Sequence, residues 1–257
     1  MKPELVMRSR FASNPIPQWE AAILCFRNRQ GCDILVNKFN AKPIEGYKVF
    51  YGIDATETSR QVFEAEINGI NVGIITRLSW GGPQAAIIVE ELAFIGVKYI
   101  LGYGTAGSIN KTIGKGQQVV GVKSLITDGT SKSYVSDRAE LLGNSDLIKL
   151  TKEVSTQIGY EVKEVCVANV DALYRETKKL ISEYQTMGAD IVNLETSALF
   201  AACEACNIAS TWIGFISDCL VDEAWDDWHI DSLELSTIAS EICLEVIRAI
   251  FERNSHV

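Results

Sequence analysis

The chain is 257 residues long, with 24 Lys and Arg against 33 Asp and Glu and a formal net charge of −9. That length allows one large domain or two small ones, and a composition of 47% hydrophobic and 22% charged residues excludes disorder over the whole chain. The acidic balance argues against a nucleic-acid binder, which needs a basic face. No apolar run reaches the roughly 18–20 residues of a bilayer span, and MKPELVMRSRFASNPIPQWE lacks a signal-peptide core, so a cytoplasmic protein with no membrane partner is expected.

In chain order, a loop-like start with Pro15 and Pro17 leads into AAILCF, residues 21–26, a buried strand bounded by the polar run Arg27 to Gly31. A segment of mixed pattern follows, and then Asn68-Gly69 signals a hairpin between two strand-like runs. Gly81-Gly82-Pro83 opens a helix over QAAIIVEELAFI, which Gly96 ends, because proline suits a first helical turn and glycine a helix end. Residues 97–103 (VKYILGY) are read as a strand that opens into a turn at Gly104-Thr105-Ala106-Gly107-Ser108. GQQVVGVKSLI looks like strands, residues 164–170 form another ending at Asp171, and GADIVN is a short strand before a helix from about Asn193. TWIGFIS, residues 211–217, is a strand ending at Asp218, and Leu235, Ile238, Ile242, Val246 and Ile250 mark a final amphipathic helix. Without a repeat or a linker-like break, this order indicates one α/β domain over 1–257 with a mixed or largely parallel sheet.

The seven cysteines show no disulfide spacing; Cys25, Cys166, Cys203, Cys219 and Cys243 lie in apolar stretches and act as small hydrophobes. Cys203-x-x-Cys206 falls in a helical pattern with no second pair and no nearby His, so packing is favoured over zinc and no metal site is expected. Ligands of open α/β sheets gather at the carboxyl ends of strands. The candidates there are Arg27-Asn28-Arg29, the run Gly104 to Gly107, Asp171 to Glu176, and Ser217-Asp218, with Glu195 added as a carboxylate in the otherwise apolar IVNLETSALF.

Taken together, GGPQAAIIVEELAFIGVKYILGYGTAGSI, TDGTSKSY, DALYRET, GADIVNLETSALFAA and FISD resemble the nucleoside phosphorylase and uridine phosphorylase family, over about Gly69 to Asp218. The resemblance implies a single-domain α/β fold in which a central mixed sheet forms a distorted barrel flanked by helices. It also implies assembly as a dimer or as a hexamer built from dimers. The implied activity is that of a transferase of nucleoside catabolism and salvage, which cleaves the N-glycosidic bond with inorganic phosphate as co-substrate and needs no cofactor. Its partners would be a nucleoside, here a purine nucleoside, and phosphate.

Breaking that bond passes through a ribosyl cation-like state, so the sugar must be held, the base neutralised and a nucleophile brought to C1′. By the resemblance, Asp218 is the general acid at purine N7, oriented by Ser217, and Glu195 accepts the ribose hydroxyls beside Leu194, where the family usually has Met. Thr105 and the amides around Gly104 contact phosphate and ribose. Leu173 and Tyr174 stand where the family places an aromatic pair against the base; the ring lost at Leu173 leaves stacking to Tyr174 or a neighbour such as Trp80.

The departures concern phosphate. The family Arg two residues before the Gly-Thr pair is Gly102 here, and the first loop lacks the Gly-Asp-Pro-x-x-Arg form, leaving Arg27, Arg29 and Arg175 as the candidate phosphate ligands, with Arg77 behind them. His229 is the one residue after Asp218 offered as an assistant to the acid. Two other readings remain open: a nucleoside hydrolase on the same fold, and a nucleoside-binding homologue without catalysis. Arginines after the first strand favour phosphorolysis over a hydrolase, which would want a carboxylate there to activate water.

Overall fold

The computed structural model describes residues 2–53, 61–221 and 232–254, and alternates strands with helices much as the polarity pattern requires. In chain order these are α1 (Pro3–Arg10), β1 (Ala21–Cys25), α2 (Arg29–Lys38), β2 (Lys42–Pro43), β3 (Val62–Ile67) and β4 (Ile70–Ile75). Next come α3 (Gly82–Ile95), β5 (Tyr99–Ser108), β6 (Gln118–Leu125), α4 (Gly129–Lys132), β7 (Glu140–Leu142), α5 (Ser145–Gln157) and β8 (Val162–Asn169). A 3-10 turn at Leu173–Arg175, α6 (Lys178–Thr186), β9 (Ile191–Asn193), α7 (Thr196–Ala205), β10 (Ala209–Cys219) and α8 (Ser232–Asn254) complete the described chain.

The local signals act as their chemistry demands. Asn68 and Gly69 both take left-handed backbone, with φ of 53° and 79°, and so turn β3 into β4. Gly96, with φ of 101°, ends α3. Two helices lie where no helical signal stood out. Pro3 opens α1, which buries Met7 and pairs Glu4 with Arg8 at 2.7 Å. Asn28 caps α2 by accepting the Gly31 N–H at 2.9 Å, so the polar run after β1 is a helix start and not an extended loop.

The sheet is mixed and partly closed. β5, β10, β6, β8 and β9 pair in turn and return to β5, forming a barrel-like ring, while β1, β4, β3 and β2 extend from β5 as an open arm and β7 pairs with β6. Helices cover both faces. On one side α3 and α7 pack around Trp212, Leu199 and Phe200; on the other α2, α5 and α8 bury Leu35, Tyr103, Phe215 and Ile247. Among the described residues no helix is long and apolar enough to cross a membrane, and no group of three or more His, Cys, Asp or Glu is placed to hold a metal ion.

The turn expected at Gly104 to Ser108 is not a turn. β5 runs unbroken from Tyr99 to Ser108, paired along one edge with β10. Its glycines serve close approach instead: a Cβ on Gly102 would stand 2.6 Å from Leu199 Cδ2 and 2.8 Å from Trp212 Cδ1, and one on Gly104 would stand 2.8 Å from Glu195 Oε1. Along its other edge β5 pairs first with β1, through Tyr103, and then with β9, from Gly107. Where β1 and β9 part, the edge of Gly104 to Ala106 has no registered strand partner among the described residues, and the candidate cavity opens there.

Candidate active site

A cavity of about 220 Å³ lies against that gap, lined by residues that include Phe26 at the end of β1, Thr105 to Gly107 of β5, Asn193 to Glu195, and Ser217 and Asp218 of β10. Glu195 is buried at the start of α7 but does not cap it; Asn193 does that, its Oδ1 accepting the Thr196 N–H at 3.3 Å. The Glu195 carboxyl is thereby released toward the cavity, held by the Trp212 Nε1–H on Oε1 at 3.2 Å and by the Leu194 N–H on Oε2 at 3.1 Å. Burial outweighs these two donors and pushes its pKa up to about 7. The absence of a side chain at Gly104 is what lets this carboxyl lie against β5.

A β-bulge brings Ser217 and Asp218 to the same space. The register of β10 on β5 slips by one between Ile216, opposite Ala106, and Asp218, opposite Gly107. Consecutive residues of a regular strand point to opposite faces, whereas here both line the cavity. Ser217 Oγ donates to Asp218 Oδ1 at 2.6 Å and lies 3.3 Å from the Ala106 carbonyl. At the mouth, Tyr174 is 96% exposed, Leu173 is 38% exposed, and Trp80 donates from Nε1 to the Phe26 carbonyl at 3.1 Å.

Behind Thr105 lies the cation. Arg27 is 4% exposed, donates from Nη1 to Thr105 Oγ1 at 3.4 Å and from Nη2 to Ser236 Oγ at 3.2 Å, and rests over the Phe215 ring at 4.8 Å. Its Nε has no hydrogen-bond partner, and among the described residues no carboxylate pairs with it. Burying a guanidinium without a counter-charge is costly unless an anion completes the site. Arg27 also lines a recess with Asn28, Arg29, Arg77, Ser79 and Trp80, so Trp80 borders both spaces.

A family model for the phosphorylase superfamily matches residues 38–252. The chain belongs to the phosphorylase superfamily. Among relatives, an uncharacterized protein of Acanthamoeba polyphaga mimivirus is 35% identical over 158 residues, covering 62% of this chain and 61% of that protein. Guanosine phosphorylase of Halorubrum lacusprofundi is 27% identical over 121 residues, 47% of this chain and 50% of that one. Uridine phosphorylase of Escherichia coli is 27% identical over 155 residues, 55% of this chain and 61% of that one. The chain thus spans between half and three fifths of the length of these relatives. The solved structure of Campylobacter jejuni 5′-methylthioadenosine/S-adenosyl homocysteine nucleosidase shares the fold, with a TM-score of 0.74 over 90% of this chain and 99% of that one at 15% identity.

Within this superfamily fold, the expected site residues fall into three groups. Asp218, Ser217, Glu195, Leu194, Thr105, Leu173, Tyr174 and Trp80 line one cavity. Gly104 is not part of its lining and acts by making room for Glu195. The three candidate phosphate arginines separate: Arg27 is buried against Thr105, Arg29 is exposed on the recess rim 3.8 Å from Asp33, and Arg175 is exposed and outside both lining sets. Arg29 and Arg175 are therefore not brought to Thr105, because α2 carries Arg29 outward and the 3-10 turn carries Arg175 away. His229 lies outside the described residues.

The sequence pattern includes Glu176 only as the end of the candidate run Asp171 to Glu176, with no role of its own, and gives no signal for Phe26, Asn193 and Trp212 as site residues. Glu176 lines the cavity, and its pKa is raised to about 7 by burial first and by Asp218 second. Its position in DALYRET carried a signal of a kind, a carboxylate next to a strand end, but nothing in the local pattern shows that Asp218 comes to face it.

Proposed function

We propose that the protein is a purine nucleoside phosphorylase, which cleaves the N-glycosidic bond with inorganic phosphate to give the free base and ribose 1-phosphate. The observation that carries this reading is Arg27, a buried guanidinium with no carboxylate partner among the described residues, joined through Thr105 to the cavity that holds Glu195 and Asp218. The names of the phosphorolytic relatives support the same chemistry.

In this reading phosphate lies between Arg27 and Thr105, and one of its oxygens attacks C1′ as the bond from C1′ to the base nitrogen breaks. The bonding pair leaves with the base, and Asp218, held by Ser217, supplies a proton or a hydrogen bond at N7. Glu195 accepts the ribose hydroxyls and places C1′; as a carboxylate it also stabilises the positive charge that develops on the sugar. Arg27 supplies the cation that Gly102 cannot, since Leu199 and Trp212 fill the space beside Gly102.

Release of base from inosine, adenosine and uridine, with and without phosphate, tests the reading. Purine release that depends on phosphate and yields ribose 1-phosphate is expected. Release unchanged by removing phosphate would mean hydrolysis, and binding without turnover of any nucleoside would mean a non-catalytic homologue.

A further inference from the structure

We propose that Glu176, acting with Asp218, selects a purine that carries an amino group at C6 over one that carries a carbonyl there. The proposal rests on the reading of the cavity as a purine nucleoside site, and adds a specificity-determining residue to it.

Glu176 follows the 3-10 turn at Leu173–Arg175 and lines the cavity together with Asp218, which reaches it from the β10 bulge. Among the described residues, the side chains that line the cavity are acidic or neutral. Asp218 acts on Glu176 directly, and Tyr184 of α6 feels both Glu176 and Asp171. The neighbouring Arg175 and Lys178 are exposed, and neither lines the cavity. Burial first and the charge on Asp218 second raise the Glu176 pKa to about 7, so Glu176 passes from a protonated acid to a carboxylate as pH rises through neutrality.

Ionised, Glu176 is an acceptor only; protonated, it also donates. An aminopurine offers it a donor at the exocyclic nitrogen, beside the N7 acceptor that faces Asp218; a 6-oxopurine offers two acceptors. Against the oxopurine, one carboxylate faces a carbonyl oxygen with no proton between them. The loss for such a mismatch is about 10- to 100-fold in kcat/KM. Lowering the pH protonates Glu176, which can then donate to the carbonyl, so the preference for the aminopurine shrinks on acidification and grows above pH 7.

The test measures kcat/KM for adenosine and inosine with phosphate from pH 5.5 to 8.5, on the wild-type protein and on Glu176→Gln, together with calorimetric Kd values for adenine and hypoxanthine. The wild type should favour adenosine about tenfold at pH 8, with a ratio that falls toward acid. Glu176→Gln, whose amide both donates and accepts at every pH, should flatten the ratio and its pH dependence. A preference below about threefold in the wild type at pH 8 overturns the proposal, as does one that Glu176→Gln retains. If no nucleoside is turned over, adenine binding that is selective and loses selectivity in Glu176→Gln upholds the proposal while sinking the phosphorylase reading; failure of both bases to bind overturns both. The wild-type pH series needs no variant and remains decisive should Glu176→Gln fold poorly.

Discussion

The two ends of the site are built in opposite ways. The end proposed to hold sugar and base gathers three carboxyls, Glu195, Asp218 and Glu176, into a largely apolar cavity bounded by Phe26, Val192, Leu194 and Leu220. The end facing Arg27 gathers arginines around a recess, and one of them is buried with its Nε unsatisfied. The three carboxyls lie within the stretch matched to the superfamily, whereas Phe26, Arg27 and Arg29 precede it. In the proposed reading, the acidic half of the site comes from the matched stretch and the cationic half from the element before it. A side chain at Gly102 is excluded by Leu199 and Trp212, and β1 delivers Arg27 beside Thr105 instead.

Substitutions at either end test these assignments. The largest effect is expected for Glu195→Gln: with the charged acceptor gone from both ribose hydroxyls, kcat/KM for a purine nucleoside should fall about 10³-fold, two charged hydrogen bonds being worth that much together. A fall below tenfold would show that this carboxyl does not hold the sugar. Asp218→Asn should slow purine release about 10²-fold, with less effect on a nucleoside whose leaving group needs no proton. Equal loss on both substrates would return Asp218 to a purely structural role.

At the other end, Arg27→Met should raise KM for phosphate about tenfold or more while leaving the affinity for free base nearly unchanged. Arg29→Ala and Arg175→Ala, both on exposed side chains, should change it less than about twofold. Arg29→Ala matching Arg27→Met would move the anion to the recess rim.

The smallest effect concerns stability. Glu195 and Glu176 have folded-state pKa values raised to about 7. Their neutral forms are favoured in the folded chain, so their contribution is fully present below the ordinary carboxylate pKa and is lost as pH rises through about 7. Thermal unfolding between pH 5 and 8 should therefore show a Tm that declines toward pH 8 by a few degrees, about 2–4 °C for each kcal/mol lost. In Glu195→Gln, which cannot ionise at that position, the decline should be shallower. An equal slope in the two proteins would mean that Glu195 is not buried as a neutral acid.

Much of the scaffold was legible from local chemistry. Alternating apolar strands, the Asn68-Gly69 turn, the Pro83 start and Gly96 stop of α3, and the three- and four-residue spacing of α8 each report their own geometry over a few residues. The glycines of β5 were misread for a reason of the same kind: Gly104 and Gly107 look like a turn when neighbours are unknown, and become strand residues once Trp212, Glu195 and Leu220 fill the space a Cβ would need. Helices α1 and α2 were invisible because short polar helices owe their stability to burial of Met7 and Leu35 more than to their own pattern.

The sequence by itself determined that an acidic α/β chain carries Glu195, Ser217 and Asp218 at strand ends in the order of a nucleoside-processing family. Those are statements about neighbours along the chain. Only the tertiary structure decided that a one-residue slip in β10 turns Ser217 and Asp218 to the same side, that Glu176 comes to share their cavity, and that Arg27 rather than Arg29 or Arg175 stands behind Thr105. Each depends on register, bulge and burial between segments 40 to 200 residues apart, and a carboxyl or guanidinium acquires its charge state from those neighbours and not from its place in the sequence.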